Sequence, residues 1–161
     1  ARMKYGPDLT LVAALDALLA ETLAGAPAVV ARTPQRILPV PLAAARLRAR
    51  GFNQALEIAR PLARRFGIAL DTRSLRRERD GAPQAALDLR ARGRNLRGAF
   101  SCAALDGLHV AIVDDVMTSG ATLREVAQCA RRAGARGIQC WVVARTPAAA
   151  PAQRATFSAI P

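Results

Sequence analysis

Two adjacent carboxylates, Asp114 and Asp115, stand just ahead of a small polar run, Thr118-Ser119-Gly120-Ala121-Thr122. Paired acids accept hydrogen bonds from vicinal hydroxyls such as those of a sugar. A hydroxyl-and-glycine run can turn backbone N–H groups toward a phosphate, and a helix starting there adds a positive partial charge. Acids and run together have the chemistry of a sugar-phosphate site.

The elements that must position these residues are legible on either side. His109 to Val113 has no charged side chain and reads as a buried strand that delivers the acids at its end. A helix follows from about Ala121 to Ala133, with Leu123, Val126, Ala127 and Ala130 inward and Gly134 closing it. Ile138 to Ala144 is a second apolar strand containing Trp141, which reads as core. Strand, helix and strand in this order argue for an α/β chain with a mostly parallel sheet covered on both faces. Ligands of such sheets sit beyond the carboxyl ends of the strands.

Upstream, Asp8 can cap a helix running to about Leu23, with Leu11, Leu15, Leu18 and Leu19 on one side. Ala28 to Ala31 reads as a short strand or loop, and Ile37 to Val40 as a compact strand. Leu42, Ala43, Ala44 and Ala45 have side chains small enough, on the whole, for a ligand to approach their backbone. Asn53 and Gln54 either start a helix or meet a ligand. Phe52, Leu56, Ala59, Ala63 and Phe66 recur at helical spacing, with Pro61 an expected kink. Residues 68 to 77 read as one strand. Residues 78 to 98 read as a basic loop with a helical turn near Leu87 to Arg92. A loop this long in a small domain is often a functional lid. Phe100 to Ala103 reads as an edge strand. His109, the only histidine, reads as a packed residue at a strand start. The layout predicts one domain over residues 1–146 and a Pro- and Ala-rich tail over 147–161.

The formal net charge is +12, and all but one of the 24 basic residues are Arg. Residues 46 to 97 hold fourteen Arg against five acids, which is +9 of the total. A localised excess of guanidinium points to an anionic partner, either a polyphosphate or a nucleic-acid backbone. No apolar run is long enough to span a bilayer, so membrane insertion is not expected. Cys102, Cys129 and Cys140 lack metal-ligand spacing and suit a reducing compartment, so a cytoplasmic protein is expected.

The strand, twin acids, Thr-Ser-Gly-Ala-Thr run and helix resemble the phosphoribosyl-diphosphate (PRPP) signature of type I phosphoribosyltransferases. Pro39-Val-Pro-Leu42, Arg50-Gly-Phe-Asn-Gln54, Pro83-Gln84, Arg94-Asn-Leu-Arg-Gly-Ala-Phe100, Arg132-Ala-Gly-Ala-Arg136 and Arg145-Thr146 look like the ComF family, which is phosphoribosyltransferase-like and tied to competence and DNA uptake. The resemblance covers about residues 37 to 146. The cysteine-rich zinc module common in that family is not in this sequence, so no zinc is expected. Ala43 and Ala44 stand where the family often has His and Pro.

The resemblance implies a three-layer type I phosphoribosyltransferase-like fold. It implies that Asp114 and Asp115 hold the ribose hydroxyls and that Thr118 to Thr122 hold the 5′-phosphate of PRPP or of a nucleotide. Leu42 to Ala45, in a turn that often carries a cis peptide, would hold pyrophosphate together with Arg46, Arg48 and Arg50. Magnesium would bridge ribose and pyrophosphate oxygens without direct protein ligands. Nothing in the sequence marks an acceptor base. The alternative is a non-catalytic PRPP sensor or a single-stranded DNA-binding accessory protein beside a DNA-uptake helicase. The scarcity of aromatic residues argues against a dedicated stacking platform. A homodimer is a further expectation from the type I resemblance.

Overall fold

The computed structural model describes residues 9–26, 32–79 and 96–146, with side chains from residue 17 onward. The expectations for residues 28–31, for the helical turn near 87–92 and for the 147–161 tail lie outside the described residues, as does most of the 78–98 loop.

In chain order the elements are α1 (Leu9–Ala24), β1 (Arg36–Pro39), α2 (Ala44–Arg50), α3 (Gln54–Phe66), β2 (Ala69–Leu70), β3 (Leu75–Arg77), β4 (Phe100–Cys102), β5 (His109–Met117), α4 (Ala121–Arg132) and β6 (Gly137–Arg145). Four strands form one sheet in the order β2-β1-β5-β6, every neighbouring pair parallel. Both crossovers between adjacent strands are helical. α3 joins β1 to β2 and α4 joins β5 to β6, so the chain runs outward in both directions from the β1–β5 pair. β3 and β4 pair antiparallel as a separate two-stranded sheet.

Each face of the sheet has its own core. On one face Ile37, Ala111, Val113 and Trp141 pack with Leu19, Ala20 and Leu23 of α1 and with Ile58, Ala59, Leu62 and Ala63 of α3. On the other, Leu38, Val110 and Ile112 pack with Leu123, Val126, Cys129 and Ala130 of α4 and with Leu75 and Phe100 of the small sheet. Val110 to Val113 are all fully buried, because a central strand covered on both faces has no solvent side. The α/β, three-layer expectation is met.

Several local expectations are corrected. Residues 68 to 77 form two strands in different sheets. Asp71 breaks the run: its carboxylate accepts the N–H groups of Arg73 and Ser74 and the Ser74 hydroxyl, which turns the chain. Arg36 pairs with the same carboxylate at 3.0 Å. The buried stripe of α3 is Ala55, Ile58, Ala59, Leu62 and Ala63, and Leu56 lies only half-buried at its margin. Pro61 lies inside α3 without ending it. In α1, Leu19 and Leu23 face inward four residues apart, and Leu18, about 100° away around the helix, is 60% exposed. Leu11 and Leu15 have no described side chains. Trp141 is core, 3% exposed.

Candidate functional site

β5 extends further than the apolar run that begins it. β1 pairs with it only as far as Pro39 opposite Val113, and the Val40 N–H then donates to the Val113 carbonyl at 2.9 Å. β6 stays in register to Met117 opposite Arg145. Asp114 and Asp115 therefore lie within the strand, where the chain of β1 turns away at Val40 and Pro41, and not past its end as expected. The opening between diverging β1 and β5 is the switch point of the sheet, the place where ligands of open α/β sheets bind.

A cavity of ≈ 230 Å³ occupies this opening. It is lined by Val40, Pro41 and Leu42 after β1, Arg46 and Arg50 of α2, Asn53, Gln54 and Ala55 at the start of α3, Arg77 of β3, and Asp114, Asp115, Val116, Thr118 and Thr122. Three guanidinium groups and two carboxylates thus share one small space. A mixed-sign lining of this kind suits a ligand with both hydroxyls and phosphates.

The electrostatics of the two acids differ. Burial pushes the Asp114 carboxyl up to about 7, and the negative charge of Asp115 adds to the rise. The Asp115 N–H donates to Asp114 Oδ1 at 3.0 Å and partly offsets it. Asp115 Oδ1 accepts the Val116 N–H at 2.7 Å. The two carboxyl groups also interact side chain to side chain, which adds to the rise at Asp114.

The 118–122 segment begins where Met117 leaves the sheet. Gly120 has φ 71°, the left-handed conformation that reverses the chain into α4. The Ser119 hydroxyl accepts the Ala121 N–H at a long 3.4 Å. Among the described residues, no protein acceptor is recorded for the N–H groups of Ser119 and Gly120. Thr118 and Thr122 line the cavity, whereas Ser119, Gly120 and Ala121 form the bend behind them.

The expected pyrophosphate group is only partly assembled. Leu42, Arg46 and Arg50 line the cavity and Ala43, Ala44, Ala45 and Arg48 do not. Residues 44 and 45 are not an open turn: they begin α2, with Ala43 buried beneath them. No peptide bond among the described residues is cis, so the expected cis link is absent. Arg46 and Arg50 are four residues apart and share a face of α2, while Arg48 lies about 200° around the helix from each.

Arg77 joins the site although the sequence reading gave it no role. Its guanidinium lies 5.4 Å from the centroid of the Phe100 ring, within cation–π range. No local motif could have found it, because the small sheet that brings it there is tertiary. Asn53 does start α3, and it also lines the cavity with Gln54. His109 is outside the cavity, half-buried at the far end of β5.

The donor set fits magnesium in one respect. Asp114 and Asp115 are hard oxygen donors in a cavity with room for a ligand's own oxygens, which is how this ion is commonly held beside phosphates. Among the described residues no cluster of three or more His, Cys, Asp or Glu could hold a metal by itself. No helix of the described residues is long and apolar enough to cross a membrane.

Comparison with known proteins agrees with this architecture. The phosphoribosyl transferase domain pattern matches residues 53–160. The DNA utilization protein YhgH of Salmonella typhimurium is 40% identical over 147 residues, 90% of this chain and 65% of that protein. Competence protein F of Haemophilus influenzae is 36% identical over 118 residues, 71% of this chain and 52% of that one. The chain thus spans between half and two thirds of the length of these relatives. Among solved structures, glutamine PRPP amidotransferase from B. subtilis, complexed with ADP and GMP, superposes with a TM-score of 0.54 at 20% identity, over 82% of this chain and 26% of that one. With the parallel sheet, the switch-point cavity and the paired acids in place, the chain belongs to the phosphoribosyl transferase domain family, in the ComF group that its sequence resembles.

Proposed function

We propose that the protein binds PRPP, or a nucleotide 5′-phosphate, with magnesium in the cavity beyond β1 and β5. Asp114 and Asp115 accept hydrogen bonds from the ribose 2′- and 3′-hydroxyls. The 118–122 bend takes the 5′-phosphate on its amides and hydroxyls. Arg46 and Arg50 face the pyrophosphate. In transfer, the bond from C1 to pyrophosphate breaks, its electron pair leaves with the pyrophosphate, and a nucleophilic atom of the acceptor supplies the pair for the new bond at C1. The carboxylates stabilise the positive charge left on the sugar, and the guanidinium groups stabilise the charge growing on the leaving group. Magnesium, when bound, neutralises pyrophosphate charge. A place in DNA use follows from the names of the relatives and extends to this chain as part of the proposal.

One observation carries this reading: the paired acids share a cavity with Thr118, Thr122 and two arginines of α2. Calorimetric titration with PRPP and magnesium tests it. Asp114→Asn and Asp115→Asn should each weaken binding by about tenfold or more, as expected when a charged hydrogen-bond partner is neutralised. Unchanged affinity in both variants would reject the assignment.

A second reading, binding of single-stranded DNA, is favoured by the exposed arginines outside the cavity. Arg48, Arg64, Arg65, Arg73 and Arg76 are all exposed, and none pairs with an acid among the described residues. On this reading the same protein holds a nucleic-acid backbone on its surface, with or without a sugar phosphate in the cavity.

A further inference from the structure

Asn53 makes two side-chain hydrogen bonds of opposite polarity. Its Oδ1 accepts the Ala55 N–H at 3.1 Å, which caps α3. Its Nδ2 donates to the Val40 carbonyl at 3.0 Å, thirteen residues back along the chain. Val40 in turn donates its own N–H to the carbonyl of Val113, the residue before Asp114. Three hydrogen bonds therefore link the start of α3, the exit of β1 and the acid-bearing strand.

The cap alone does not require asparagine. Ser, Thr and Asp serve as well in that role. Ionised Asp has no proton to give, and a Ser or Thr hydroxyl is shorter, so of these residues only Asn joins an acceptor to an amide donor with this reach. What lies between the two ends of the staple explains the need. Residues 41 to 52 contain α2, a helix with no buried side chain, and it presents Arg46 and Arg50 to the cavity. With no buried side chain to fix it, α2 depends for its position in part on the closure of its base.

We infer that Asn53 is a positioning residue: by stapling the 41–52 excursion to β1, it holds Arg46 and Arg50 in register with Asp114 and Asp115. The ligand named here rests on the proposed function, whereas the staple rests on the hydrogen bonds alone. A preformed arrangement spares the ligand the cost of ordering two long side chains and the helix beneath them.

Asn53→Ser keeps a cap and removes the reach to Val40. Amide hydrogen exchange on the unliganded protein should be at least about fivefold faster at Leu47 and Gly51, whose N–H groups bond within α2, with exchange in the α3 core unchanged. The melting temperature should fall by no more than about 5 °C, the scale of one lost hydrogen bond with the cap kept. PRPP affinity should fall about fivefold to tenfold, the scale of one lost hydrogen bond, and ribose 5-phosphate, which lacks the pyrophosphate that Arg46 and Arg50 face, should lose clearly less. Asn53→Asp, which keeps size and cap but turns an oxygen toward the Val40 carbonyl, should reproduce the exchange result. Unchanged exchange in α2 of both variants would overturn the staple, whatever the ligand. Faster exchange with unchanged PRPP affinity, or with equal loss for ribose 5-phosphate, would overturn the positioning role while leaving the proposed function standing. Binding of neither PRPP nor a nucleotide 5′-phosphate by wild type would reject the proposed function, and the exchange result would then decide the staple by itself.

Discussion

Asp114 sits closest to the proposed chemistry and bears an electrostatic cost for it. Its carboxyl is pushed up to about 7 in the folded protein, first by burial and then by Asp115, against an ordinary value of 3.8. Folded protein therefore holds a proton on Asp114 that unfolded protein loses, so stability falls as pH rises from that ordinary value through about 7, then levels off. Asp114→Asn should raise the melting temperature at about pH 8, where wild type bears the full penalty, and give no such gain near pH 3.5. PRPP affinity in wild type should rise from about pH 6 to 8 as Asp114 ionises. The part of that rise due to Asp114 should vanish in Asp114→Asn, which also serves as the control for ionisation of the ligand's own phosphate. A pH profile identical in the two proteins would exclude Asp114 from the site. The arginines of α2 give a second test at this scale. Arg46→Ala should weaken PRPP binding about tenfold, the scale of a charge-assisted hydrogen bond. Arg48→Ala, on the opposite face of the same helix, should leave it unchanged. Equal losses would mean that net charge, and not the geometry of α2, governs affinity.

At the scale of elements, the site depends on how β5 and β6 lie side by side. The His109 ring packs against Gly137, its partner in register at the start of β6. A Cβ on Gly137 would run into the His109 ring at Nδ1, closer than any side chain tolerates. Gly137→Ala should therefore cost about 1–3 kcal/mol, the usual range for overpacking. In a chain of this size that lowers the melting temperature by roughly 2–4 °C per kcal/mol. His109→Ala in the same chain should restore most of the loss, because the three atoms nearest the added Cβ all belong to that ring. A double variant as unstable as Gly137→Ala would mean the backbone of β6, and not the imidazole, is the obstacle. The lone histidine is thus a packing residue, placed too far along β5 to reach the acids.

Across the whole molecule, charge is unevenly cancelled. Arg36–Asp71, Arg60–Glu57 and Arg132–Glu125 are ion-paired, whereas Arg48, Arg64, Arg65, Arg73 and Arg76 are exposed and belong to none of these pairs. Exposed arginines of α2, α3 and the small sheet therefore contribute to a positive surface that attracts anions at long range. If single-stranded DNA binds there, its affinity should fall steeply with salt, with a log–log slope of about −0.7 per phosphate neutralised. It should show little sequence preference, because the exposed surface offers few aromatic rings to stack bases. Titration at two salt concentrations, with and without PRPP, measures this. An affinity indifferent to salt would remove the surface arginines from any role in DNA binding.

The sequence by itself determined the parts of this protein that depend on neighbouring residues. The apolar run from Val110, the acids that follow it, the glycine-marked bend and the helical stripe of α4 are local patterns whose periodicity sets burial, and from them the parallel sheet and the strand of it that carries the paired acids were legible. Tertiary structure alone decided what depends on distant segments meeting. It split residues 68 to 77 between two sheets, because Asp71 spends its hydrogen bonds on a turn and on Arg36. It turned Arg48 away and brought Arg77 in, because which arginine reaches a cavity depends on the orientation of its element, and composition does not encode that. It also joined Asn53 to Val40, a bond across the two ends of the 41–52 excursion that depends on how α3 returns to β1.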